Sequence, residues 1–328
     1  MPNETKQSCA TPFKTMIGGQ ALIEGIMMMG PEKKAIVVRR PDGGLETKVE
    51  ERVLIKDKHP ILGVPFIRGI FNFGSSLANG VKALMYSAEF YPEDEEAEPE
   101  EPSKFEAWLE RTLGSEKAAS FFVTLAVVLG VGFSILLFFI LPTFLTGGLL
   151  YFFPGFPLWG RNLIEGVLKI AIFMGYLILC SRMKDIHRTF CYHGAEHKTI
   201  FCYEKGLELT VENVRPQPRH HPRCGTSFLF VVIFVSILFS SIFFAFFEFT
   251  NVWLRTLVHL LLLPLVVSVT YEINRFMGRH DNWFTRICTA PGMWMQNWTT
   301  FEPDDSMIEV GITALKAVLP EEKGKDAW

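Results

Sequence analysis

Residues 118–141 read Ala118-Ala-Ser-Phe-Phe-Val-Thr-Leu-Ala-Val-Val-Leu-Gly-Val-Gly-Phe-Ser-Ile-Leu-Leu-Phe-Phe-Ile-Leu141, 24 residues without a charge. A helix needs about 20 such residues to cross a bilayer, and only helices and closed barrels can satisfy their own backbone there. This run makes the chain a membrane protein, and the neighbouring sequence repeats the pattern. Thr226 to Phe247 is a second long uncharged run. Leu163 to Cys180, between them, is a weaker span that carries Glu165 and Lys169 at i,i+4 spacing, where each can offset the other. Val252 to Tyr271 is another, with Arg255 near its start and His259 one turn later. The expected fold class is therefore mostly α: a polytopic α-helical membrane protein of about four transmembrane helices, with a small N-terminal α+β part.

Composition agrees with this reading. The chain has 328 residues, 30 of them Phe, and a net charge of only −3. Its charged residues are crowded into some stretches and missing from others. So small a net charge gives no reason to expect nucleic acid, and the lipid bilayer is the one partner it implies. The first residues lack the apolar core of a secretory signal peptide and are expected to stay on the mature chain. The six cysteines show no disulfide-framework spacing.

Residues 1–15 read as a tail, and 16–90 as a soluble or interfacial α+β region. Within that region Ala35–Arg40 and Leu45–Glu50 are strand-like runs joined by Pro41-Asp-Gly-Gly44, a turn suited to a β-hairpin. Gly18–Gly30 is apolar and punctuated by glycine, with Glu24 as its single acidic group, expected to be exposed or paired. Phe66–Phe90 reads as a helix with Gly69, Ser76, Gly80 and Ala83 on one side, suited to packing or to lying on a membrane surface. Residues 91–104 form an acidic linker, with seven acidic side chains between Tyr91 and Pro102. The membrane domain is expected over 105–320. It includes a polar segment at 182–225 and a Trp-rich interfacial segment at 283–298, broken by Pro291-Gly292. Asp304 or Asp305 is placed to cap a last amphipathic helix ending near Val318, and 321–328 reads as a second tail.

Loop charge sets the expected orientation. The 182–225 segment holds eight Lys and Arg residues, whereas the 142–162 connection holds only Arg161. By the positive-inside rule this segment and both termini face the cytoplasm. Cys191, Cys202 and Cys224 then lie where thiols stay reduced.

The same segment carries the residues most suited to chemistry. It reads as a helix, Arg182 to Lys205, continuing out of the second span. At 100° per residue His193, Glu196 and His197 share one face of it. Two imidazoles at i,i+4 can hold one metal ion while the intervening Glu points at its bound water; this is the H-x-x-E-H spacing of inverted zinc proteases. Zinc is the expected cofactor and Glu196 the expected general base. His221 and Cys224, in Arg219-His-His-Pro-Arg-Cys-Gly-Thr226, are candidates to complete the shell, with Glu272 as an alternative third ligand. A closed four-ligand site of His193, His197, His221 and Cys224 is the structural alternative to a catalytic one. Glu24 and His259 are further candidates, the latter because a histidine within a span is a functional candidate by default.

Gly18–Gly30, His193-Gly-Ala-Glu-His-Lys198, His221-Pro-Arg-Cys-Gly-Thr-Ser227 and Glu302-Pro-Asp-Asp-Ser306 together resemble the YqhQ-like family, a bacterial domain of unknown function numbered 1385. The resemblance runs from about Met16 to Leu319. It implies a metal-dependent enzyme of the bacterial cytoplasmic membrane, with Glu24, His193, Glu196, His197, His221 and Cys224 at motif positions. It supplies no substrate. The leading expectation is a membrane-embedded zinc-dependent hydrolase acting on a peptide or lipid-linked substrate at the cytoplasmic face. A non-enzymatic scaffold with a structural metal site is the rival. A transporter using Glu165, Lys169, Arg255 and His259 ranks last, since no broken-helix repeat is visible.

Overall fold

A computed structural model describes residues 13–52, 59–91, 111, 114–153, 155, 157–247, 251–322 and 324–327. All of the acidic linker beyond Tyr91 and most of the N-terminal tail lie outside these described residues. The chain divides into two units, one of residues 1–91, 175–235 and 264–328, the other of 92–174 and 236–263.

The first unit opens with an antiparallel sheet in the order β1-β2-β3-β4, formed by Gly18–Leu22, Gly25–Met29, Lys33–Arg39 and Leu45–Glu51. The expected hairpin is its β3–β4 half, with Arg39 paired to Leu45 across the Pro41–Gly44 turn. The Gly-rich stretch before it, read only as apolar, forms a second hairpin. There Leu22 faces Gly25 across a two-residue turn. Glu24 occupies that turn at φ 48°, a left-handed conformation that costs a non-glycine residue about 1 kcal/mol. Its carboxylate is held there by Arg188 and by the Tyr192 hydroxyl at 3.0 Å. Glu24 is thus paired, and the turn geometry is fixed from outside the turn.

Helix α1 (Ile67–Ala88) buries Gly69, Gly80, Ala83 and Ser87, so the small-residue stripe is its packing face, although Ser76 is exposed. Ala83 joins Leu22, Met27, Ile36 and Val38 in one core beneath the sheet. On the other side β2 and β3 pack against the last helix of the chain, with Ile26, Met28, Ala35 and Val37 meeting Val310, Ala314 and Leu315. Burying side chains of this size contributes about 1.5–3 kcal/mol each, which explains why so short a sheet is stable.

Among the described residues, four helical stretches are long and apolar enough to cross a membrane: Phe121–Tyr151, Trp159–Ser181, Gly225–Phe246 and Val252–Arg279. The first is longer than its uncharged run suggested. Helix α2 (Ser115–Ile135) passes through a π-turn at Leu136–Ile140 into α3 (Leu141–Tyr151). Pro142, which has no N–H to donate, follows that wider turn directly, where a missing helical hydrogen bond is tolerated. The other spans are α4 (Leu158–Ser181), α7 (Gly225–Phe246) and α8 (Val252–Arg279).

Two expectations need correction. The polar helix does not continue out of the second span: α4 ends at Ser181, and α5 (Lys184–Glu204) starts afresh after Met183, whose φ and ψ of −73° and 132° are extended. Nor do Pro291 and Gly292 break the Trp-rich segment, which is one helix, α9 (Trp283–Thr299), started by a capping box of Asn282 and Thr285. Gly292 instead lets α9 approach Ser227, whose Cβ would lie 2.6 Å from any Cβ at that position. A one-turn helix, α6 (Val211–Val214), and α10 (Asp305–Val318), capped by Asp304, complete the chain. Residues 324–327, set apart above as a tail, pack on the start of the sheet region: Asp326 is fully buried and accepts a 2.6 Å hydrogen bond from Thr15 Oγ1.

Candidate metal centre

All the groups in this centre belong to the first unit. Helix α5 presents His193, Glu196 and His197 from one buried face, and Cys224 enters from the residue before α7. One ligand atom from each of His193, His197 and Cys224 can be chosen so that all lie within 4.8 Å of one another. His193 Nε2 is 3.1 Å from Cys224 Sγ. All three side chains are buried.

The orientation of the imidazoles is set by main-chain carbonyls. His193 Nδ1 donates to Thr299 O at 2.7 Å, and His197 Nδ1 to Arg219 O at 2.5 Å. A carbonyl only accepts, so each neutral ring carries its proton on Nδ1 and presents the Nε2 lone pair inward. His197 Nε2 is buried and meets no hydrogen-bond partner among the described residues. Glu196 is divided in the same way. Its Oε1 accepts from Gly19 N at 2.9 Å, and its Oε2 is buried without a partner among the described residues. A cavity of about 100 Å³ adjoins these atoms, lined among others by Thr15, Ile17, Gly19, Glu196, His197 and Cys224. That volume holds a few waters or a small polar group.

Glycine makes the approach possible at two points. A Cβ at Gly194 would stand 2.0 Å from the Phe301 carbonyl oxygen, so α5 can close on the 299–301 segment only because residue 194 has none. A Cβ at Gly19 would lie 3.0 Å from the Glu196 carboxyl carbon and 2.7 Å from Met27 O. These two contacts give the glycines of the Gly18–Gly30 and His193–Lys198 motifs a geometric role.

Burial alone would hold Cys224 as a neutral thiol and His193 as a neutral ring, but each offsets the other. The thiol is held well below its ordinary value by His193 and His197, and His193 is pushed up to about 9, chiefly by Cys224. Without an ion the pair therefore leans towards thiolate and imidazolium, and an ion would displace the Nε2 proton to gain the lone pair of the neutral ring. Burial raises the Glu196 carboxyl, with the two histidines acting against it.

The remaining candidates are engaged by other partners, although His221 lines the same cavity. His221 stacks near His197, with ring centroids 5.6 Å apart, yet its Nε2 faces Glu204 Oε2 at 3.5 Å. Burial also lowers its tendency to take up a proton. Glu272 is bound by the Arg68 guanidinium and Glu24 by Arg188 and Tyr192. His259 belongs to the second unit, where it contacts Glu165.

Several residues of the centre had no signal in the sequence. The carbonyls of Thr299 and Arg219 and the Gly19 N–H are main-chain groups, which no side-chain motif can mark. Gln296 is fully buried and holds the ligand loop by both ends of its amide: its Oε1 accepts from His221 N at 2.7 Å, and its Nε2 donates to His221 O at 2.8 Å and Ser227 Oγ at 2.9 Å. The adjacent amides Gln296 and Asn297 among the Met and Trp of α9 were the one available hint.

Residues 64–321 match the family described as Protein of unknown function (DUF1385). The chain is 35% identical over 310 residues to a protein of Bacillus subtilis (strain 168) described as "Uncharacterized protein YqhQ", with 92% of each chain covered. No solved structure matches it.

Proposed function

The chain belongs to the DUF1385 family of proteins of unknown function, and from its buried centre we propose that it is a membrane-embedded, metal-dependent hydrolase. The observation that carries this reading is the convergence of two oriented imidazoles and one cysteine on a point where His197 Nε2 and Glu196 Oε2 are buried and unpartnered among the described residues. A buried polar atom left without a partner costs about 1–3 kcal/mol, and an ion would remove that cost at His197 directly. Two nitrogens and a thiolate form a borderline-soft donor set that suits zinc, and three protein ligands with an open position are the pattern of a catalytic site. His221, turned to Glu204, leaves that fourth position open.

In such a site zinc supplies a water whose pKa is lowered to about 7. His193, His197 and Cys224 hold the ion. Gly19 N fixes one oxygen of Glu196, which leaves Oε2 to take the proton of the attacking water. The Thr299 and Arg219 carbonyls keep both rings in the ligating tautomer. Eight Lys and Arg residues across 182–225 support an orientation with this centre at the cytoplasmic face and both termini in the cytoplasm. The substrate on this reading is a peptide bond or a lipid-linked ester presented at the membrane.

A second reading uses the same residues without a metal. His193 Nε2 lies 3.1 Å from Cys224 Sγ, the reach of a base from its thiol nucleophile. Elemental analysis of detergent-purified wild type beside a His193→Ala, His197→Ala double variant separates the two. The metal reading expects roughly one zinc per chain, lost in the double variant. Protein purified without chelator that carries no metal, and takes none up, would exclude it and leave the thiol reading. Glu196→Gln is expected to keep the zinc; a variant that loses it would make Glu196 a ligand instead of the base.

A further inference from the structure

The second unit holds a charged cluster that the hydrolase reading does not use. Four of its helices contribute: α3 through Thr143, α4 through Asn162, Glu165 and Lys169, α7 through Ser240 and Ser241, and α8 through Arg255 and His259. Glu165 Oε1 accepts from Thr143 Oγ1 at 3.0 Å, Lys169 Nζ at 3.0 Å and His259 Nε2 at 2.9 Å; its Oε2 accepts from Arg255 Nε at 2.9 Å. Arg255 also donates to Asn162 Oδ1 at 2.7 Å and lies over the Phe244 ring at 3.9 Å. His259 Nδ1 meets Ser240 Oγ at 3.0 Å. All four of Glu165, Lys169, Arg255 and His259 are buried.

The charges do not balance. One carboxylate faces one ammonium and one guanidinium. His259 donates one ring N–H to Glu165; it adds no charge when Ser240 gives its proton to the other nitrogen, and adds a further positive charge when that proton goes instead to Ser236 O at 2.6 Å. Glu165 is the only acidic group among the described side chains of this unit. Arg161, next to Asn162, adds another guanidinium, whose buried Nε has no acceptor among the described residues. A surplus cation inside apolar helices is costly unless an opposite charge accompanies it.

A small cavity adjoins this surplus. Its volume is about 10 Å³, and Asn162, Lys169, Ser240, Ser241 and Arg255 line it together with Glu165, whose oxygens already accept four bonds. Asn162, Lys169, Ser240, Ser241 and Arg255 offer donors, Gly166 and Ile237 add apolar wall, and the space suits one occupant of roughly water size. We propose that this cavity is an anion site, and that a monovalent ion of halide size balances the charge of Lys169 and Arg255. Larger polyatomic anions are excluded by the volume.

Full-length protein in detergent tests this by thermal unfolding in sodium chloride, sodium bromide and sodium gluconate at one ionic strength. The expected result is a midpoint several degrees higher in either halide than in gluconate, rising to saturation with halide concentration. Lys169→Met removes the surplus, so its midpoint is expected to be the same in all three salts. Ser240→Ala, which keeps every charge, is expected to fold and to need more halide for the same shift, and it serves if Lys169→Met does not fold. A wild-type midpoint indifferent to the anion overturns the proposal and means that Lys169 sheds its charge by losing a proton. An equal halide response in wild type and both variants also overturns it, since the effect is then one of the solvent.

Discussion

Replacing Gly194 by Ala tests how the centre is assembled without touching a ligand. The added Cβ would stand 2.0 Å from Phe301 O, a main-chain atom that cannot swing aside. Reaching the 3.4 Å of ordinary contact requires α5 and the 299–301 segment to part by about 1.4 Å. The same segment supplies Thr299 O to His193 Nδ1 at 2.7 Å and Phe301 N to Phe190 O at 3.0 Å. A separation of that size takes both contacts to roughly 4 Å, beyond hydrogen-bond reach. Overpacking of this kind costs about 1–3 kcal/mol, and loss of the carbonyl that orients a ligating histidine weakens metal binding about 10–100-fold. Competition with a chromophoric chelator measures the affinity, and thermal unfolding in detergent measures the stability. Gly175→Ala, where a Cβ meets nothing within 4 Å inside α4, is the control and is expected to match wild type in zinc affinity and to be no less stable. A Gly194→Ala protein with wild-type zinc affinity and midpoint would refute the argument that this close approach positions His193.

Three other outcomes follow from the same geometry. Glu272→Gln is expected to leave zinc stoichiometry unchanged, because Glu272 is engaged by Arg68; zinc loss in that variant would restore it as a ligand. Gln296→Ala leaves the buried His221 N–H and carbonyl without partners and is expected to cost about 1–3 kcal/mol, read as a lower unfolding midpoint that Gln296→Glu does not fully recover. Burial disfavours ionised Glu204, but His221, Arg223 and the Thr15 N–H outweigh it and hold its carboxyl below the ordinary value of 4.5. A lowered folded value means that the stabilisation is present above pH 4.5 and is lost as the pH falls through the folded value. Wild type should therefore lose stability as the pH falls below about 4.5 more steeply than Glu204→Gln, and identical acid limbs would refute the assignment.

The spans, the β3–β4 hairpin and the last helix were legible in the sequence because each rests on a local cause. An uncharged run of 24 residues, a Pro-Asp-Gly-Gly turn between strand-like runs and an Asp ahead of an amphipathic stretch act over a few residues. The shared face of His193, Glu196 and His197 was equally fixed, since helical periodicity alone sets it. What joins that face to Cys224 is not local. The sequence offered His221 and Cys224, with Glu272 as an alternative, and only tertiary packing turned His221 to Glu204 and Glu272 to Arg68. The β1–β2 hairpin was hidden for a similar reason: its turn places Glu24 at positive φ, which no turn propensity favours, and the Arg188 and Tyr192 that hold it are more than 160 residues away. Pattern and periodicity record what a residue does with its near neighbours. Main-chain carbonyls that orient an imidazole, a glycine that admits a distant strand and the partner of a buried carboxylate depend on segments brought together only when apolar surface is buried, and these the tertiary structure decided.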